Sequence, residues 1–84
     1  MAIQVLLMPS AERDFRGLDS VAAERIADKL RSIVSEGRVI GDVKRLTGHP
    51  PRFRLRVGDY RVLFAVDGDT MKVNRIAHRR EAYE

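Results

Sequence analysis

The chain has 84 residues, no cysteine and a formal net charge of +4. That length makes one domain, residues 1–84, able to bury only roughly 60% of its unfolded surface, so its core must be simple. The lack of cysteine excludes a disulfide framework and a thiolate metal site, and it suits a reducing cytosol.

Residues 3–8 form an apolar run with β-branched members, ended by Pro9. The run is too short to span a bilayer and lacks a basic n-region and a cleavage pattern. It is therefore read as a buried strand, not a signal peptide or membrane segment. Ser10 is placed to cap a short helix with apolar positions at Ala11, Phe15 and Leu18, ended by Gly17. Asp19 or Ser20 caps a longer helix. Its apolar face is Ala22, Ala23, Ile26, Ala27, Leu30, Ile33 and Val34, and Gly37 closes it.

Residues 37–51 carry Gly41, Gly48, Pro50 and Pro51 and read as an irregular segment, with Leu46 as its anchor to the core. From Arg52 the period changes to two: Phe53, Leu55 and Val57 alternate with Arg52, Arg54 and Arg56. Gly58-Asp59 suits a two-residue turn of type II′. Residues 60–66 return as a second strand, Asp67-Gly68-Asp69 turn again, and 70–77 make a third. The expected fold is α+β in two layers: an N-terminal strand, a helical hairpin, then an antiparallel three-stranded meander.

Charge is distributed unevenly. Residues 1–43 hold six basic and seven acidic side chains; residues 44–84 hold ten and five. Thirteen of the sixteen basic residues are arginine, whose planar fork suits phosphate. A basic half-domain points to a polyanion, with nucleic acid first and an acidic protein second. A solvated basic face with no partner is the plainer reading.

Strand alternation puts Arg52, Arg54 and Arg56 on one face, and a two-residue turn brings Arg61 opposite Arg56 on that face. Like charges directly opposed on a sheet are destabilising, and an anion between them relieves this. Long arginines splayed into screened water are the alternative. Residues 78–83 add Arg79, Arg80 and Tyr83. Unpaired RNA bases stack on aromatic rings, although a terminal tyrosine more often packs on the body of its domain. The carboxylates form no spaced pair or His-containing cluster that argues for a metal.

The segments LTG at 46–48, RLRVGDYRVLF at 54–64 and IAHRREAY at 76–83 resemble the RelE/ParE toxin superfamily, on its RelE-like side, and the order of elements resembles it too. The resemblance implies a type II toxin held inactive by a cognate antitoxin. It implies a metal-independent endoribonuclease that enters the ribosome in the cytoplasm and cuts mRNA, with no cofactor, no membrane partner and no small-molecule substrate. In such relatives the 2′-OH of the mRNA attacks the adjacent phosphate.

Matched position by position, the implied working residues are Arg52, Arg54, Arg61, Arg80 and Tyr83, with Arg56 and Arg79 as further phosphate contacts. Arg61 is expected to stabilise the phosphorane-like transition state, Tyr83 to stack on a base, and Arg80 to serve the leaving oxygen. The best-known member has lysines where Arg52 and Arg54 stand, and a guanidinium is a poor base. His78 is the candidate proton acceptor. A histidine that only hydrogen-bonds at a strand end is the equal alternative. A ParE-like inhibitor of DNA gyrase that cuts nothing, or an inactive antitoxin partner and co-repressor, are the competing functions.

Overall fold

The computed structural model describes residues 2–80. Its elements run β1 (Gln4–Leu7), α1 (Pro9–Arg16), α2 (Ser20–Glu36), β2 (Asp42–Leu46), β3 (Arg52–Val57), β4 (Tyr60–Asp67) and β5 (Thr70–His78). The five strands form one sheet in the order β1-β5-β4-β3-β2. β1 runs parallel to β5 and every other pairing is antiparallel. The class is α+β in two layers, as expected, but the meander has four strands instead of three.

The extra strand is β2, inside the segment read as irregular. Its residues alternate no apolar face, and Asp42 to Arg45 are all exposed. The backbone ladder to β3 makes it a strand, not burial. Leu46 pairs with Arg52, on the side of the sheet away from the helices, so it is not an anchor to the core.

α1 begins two residues earlier than expected. Met8 is the N-cap, with no side-chain hydrogen bond, and Pro9 opens the helix instead of merely ending the strand. A proline fits there because its missing N–H would have had no partner. For α2 the choice between two caps resolves to Asp19, whose Oδ1 accepts from the Ala22 N–H at 2.8 Å. Gly37 ends this helix at φ 72, a left-handed conformation in which a side chain would be strained.

Ala11, Ile26, Leu30 and Ile33 from the helices are buried against Leu55, Val62, Phe64, Met71, Val73 and Ile76 from the sheet. Each large aliphatic member contributes about 1.5–3 kcal/mol by leaving water. Phe53 and Phe64 stack across β3 and β4 at 5.4 Å between ring centroids. Val34, at the end of the expected apolar face, is 46% exposed.

β5 carries an irregularity. Leu63 pairs with Arg75 while the next residue, Phe64, pairs with Val73, which leaves Asn74 as a bulge. β1 pairs with β5 only as far as Val73. Beyond that point the Asp14 carboxylate of α1 takes over the edge, accepting from the Ile76 N–H at 2.9 Å and the Arg75 Nε at 2.8 Å. No helix among the described residues is long and apolar enough to cross a membrane.

Candidate nucleic-acid interface

The hairpin of β3 and β4 sets the site. Val57 pairs with Tyr60 and Arg56 with Arg61, the register of a two-residue turn at Gly58-Asp59. Gly58 has φ 58 and no non-glycine residue among those described has positive φ, which is the type II′ pattern. Leu55, Val62 and Phe64 are buried under the helices. Alternation therefore sends Arg52, Arg54, Arg56 and Arg61 to the opposite, open face. β2 adds two neighbours there: Lys44 opposite Arg54 and Asp42 opposite Arg56. Both were missed in the sequence, because nothing in residues 37–51 marks a strand whose parity could be read.

Arg61 is folded back over the turn. Its Nη1 donates to the carbonyl oxygens of Gly58 at 3.2 Å and Tyr60 at 3.1 Å. Its Nε and Nη2 donors meet no hydrogen-bond acceptor among the described residues. Partial burial lowers the Arg61 pKa from its usual value, and the positive charges of Arg56, Arg54 and Arg79 lower it further, with Asp59 opposing. Arg56, Arg54 and Arg79 are thus the positive charges that oppose the charge on Arg61, which itself remains charged at neutral pH. Neither Arg56 nor Arg61 forms an ion pair with any described residue.

The remaining candidates divide. Arg79 joins the cluster from the end of β5. Its backbone N–H donates to the Asp59 carbonyl at 2.7 Å, and its Nη1 lies 4.0 Å from Asp59 Oδ1. Arg52 is on the open face but at the far end of β3, and it is not among the charges acting on Arg61. Arg80 is exposed and also absent from that set; its backbone N–H donates to His78 Nδ1 at 3.3 Å. Tyr83 lies outside the described residues.

His78 is not brought to the arginine face. It pairs with Tyr60, which pairs with Val57, so all three sit on the side that carries the helices. Its ring meets Tyr60 edge-on at 5.4 Å and 81°. Strand parity thus places His78 and Arg61 on opposite sides of the sheet.

This open face can hold phosphate. Opposed arginines repel when empty, and an oxyanion placed between them turns that repulsion into shared attraction. Several fixed cations also favour a transition state that gains negative charge over its ground state.

A family model described as ParE toxin of type II toxin–antitoxin system, parDE, matches residues 5–83. Toxin RelE3 of Methanocaldococcus jannaschii is 40% identical over 43 residues, 51% of this chain and 49% of that protein. The chain thus spans about half the length of that curated relative. A chain of the RelB–RelE antitoxin–toxin complex from Methanococcus jannaschii superposes with a TM-score of 0.78 at 25% identity, covering 89% of this chain and 91% of that one. One from the RelE–RelB complex of Pyrococcus horikoshii OT3 gives 0.77 at 24% identity, covering 98% and 100%, and shares the fold.

Proposed function

The chain belongs to the ParE toxin family, within the RelE/ParE superfamily; from that premise we propose that it is a toxin of a type II toxin–antitoxin system and an endoribonuclease cutting mRNA on the ribosome. The observation that carries this reading is the register that sets Arg61 opposite Arg56 on the open face, with Arg54 on the same face and Arg79 at the adjoining turn. Such a cluster fits a phosphodiester, and positioned cations are what a phosphoryl-transfer transition state requires.

In the proposed reaction the 2′-OH gives its proton to water and attacks the adjacent phosphorus, and the bond to the 5′ oxygen breaks as that oxygen takes a proton from water. The products are a 2′,3′-cyclic phosphate and a 5′-OH end. Arg61 holds a non-bridging oxygen and stabilises the added charge. Arg54, Arg56 and Arg79 hold the flanking backbone, with Arg52 further along the strand. Tyr83 stacks on a base and Arg80 serves the leaving oxygen, as in the family pattern. The guanidiniums stay charged throughout, so they act electrostatically and need no metal.

The partner proposed to restrain this activity is a cognate antitoxin, since the related structures are antitoxin–toxin complexes. An acidic segment laid across the arginines would block the phosphate site directly. A proposed activity on translated mRNA implies a cytoplasmic location.

A second reading, gyrase inhibition without cleavage, is favoured by the ParE description of the matching family model. Two assays separate them. Primer extension on mRNA translated in an extract with the purified protein should give new 5′ ends. Intact mRNA together with blocked DNA supercoiling would replace the first reading with the second.

A further inference from the structure

We propose that His78 is a positioning residue, fixing the turn at 79–80 so that the Arg79 guanidinium stands beside Arg61. The histidine is held from two sides. Tyr60 meets its ring edge-on at 5.4 Å, and its Nδ1 accepts the Arg80 N–H at 3.3 Å. Between those anchors the Arg79 N–H reaches the Asp59 carbonyl at 2.7 Å. The chain is thus pinned at 78, 79 and 80 in succession.

Asp59 is also the second residue of the turn whose flanking carbonyls, those of Gly58 and Tyr60, hold Arg61. One turn therefore frames both arginines, and His78 fastens the second to it. Arg79 lies in the turn after β5, and its Nη1, 4.0 Å from Asp59 Oδ1, stands at the hairpin turn that holds Arg61. Accepting from Arg80 occupies the Nδ1 lone pair. On the helix side His78 lines a cavity of about 330 Å³ with Arg13, Asp14, Tyr60 and Arg75. A base serving the arginine face has no place there.

The purpose assigned to Arg79 rests on the proposed nuclease reading, while its placement by His78 is measured independently. The test compares binding of a 2′-deoxy oligonucleotide, which cannot be cleaved by 2′-OH attack, to His78→Ala, Arg79→Ala, the double variant and His78→Asn. His78→Ala should weaken binding by about tenfold, the worth of one charge-assisted hydrogen bond, and match Arg79→Ala. The double variant should bind no worse than Arg79→Ala alone. His78→Asn, whose amide oxygen can stand where Nδ1 stood, should restore most of the affinity and leave the pH profile of cleavage in place.

Unchanged binding with lost cleavage in His78→Ala would overturn the proposal in favour of a base. Additive losses in the double variant would overturn it in favour of independent roles. Should His78→Ala fail to fold, the asparagine variant alone decides, since a base would be lost in it and a positioning acceptor kept. If the wild type binds no oligonucleotide, the nuclease reading falls by itself. Placement is then read by NMR: the Arg79 Nε–H and Arg80 amide signals should move in His78→Ala and stay in His78→Asn. Signals unmoved in His78→Ala would refute it.

Discussion

Replacing Arg61 with alanine should separate stability from activity. Arg61 stands directly opposite Arg56, and a like-charged cross-strand pair costs about 0.2–1 kcal/mol. Against that stand its two hydrogen bonds, at 3.2 and 3.1 Å, to the carbonyls of Gly58 and Tyr60. Both come from one Nη1 near the surface, so together they contribute about 0.5–1.5 kcal/mol net. The two effects nearly cancel, and Tm should move by less than about 5 °C. Cleavage should respond very differently, because removing one donor aimed at a developing oxyanion lowers the rate by about 10²–10³-fold. Thermal unfolding followed by circular dichroism, beside primer extension on translated mRNA, reads both quantities. Full cleavage by the variant would refute the site. A large fall in Tm would show that the guanidinium serves the fold instead.

Asp14→Ala removes the acceptor shared by the Ile76 N–H and Arg75 Nε, and should cost about 1–3 kcal/mol in chemical denaturation without weakening oligonucleotide affinity. Gly58→Ala forces a side chain into φ 58 and places its Cβ 3.2 Å from Arg25 Nη1, so it should destabilise by about 1–2 kcal/mol. A more stable Gly58→Ala would contradict the turn. Tyr83→Ala should weaken RNA binding by about 1–3 kcal/mol, the worth of one base stack, and single-turnover cleavage at subsaturating enzyme reads the same loss.

The arginine face was legible because a period of two and a turn of two residues fix parity by counting. Once Gly58-Asp59 is read as the turn, Arg56 and Arg61 must oppose, and they do. The α2 helix was legible for the same kind of reason: Ala22, Ile26, Leu30 and Ile33 recur at helical spacing and are all buried. What the sequence concealed is structure held by neighbours. β2 is an exposed edge strand with Val43 39% exposed, and only its ladder to β3 defines it. The start of α1 was hidden because a proline after a strand reads equally as a stop or as a first helical residue. The side taken by His78 follows from its pairing with Tyr60, which depends on a β5 that breaks its own alternation at Asn74. Buried Met71 and Val73 lie two apart, but the next buried residue is Ile76, and that spacing conceals the phase of the strand's end.

The salt dependence of single-stranded oligonucleotide binding tests the arginine cluster most directly. Four guanidiniums meeting phosphates should give a slope of log K against log salt near about −3, falling toward about −2 in Arg61→Ala. A slope near zero, or one that Arg61→Ala leaves unchanged, would mean that these cations do not grip a nucleic-acid backbone.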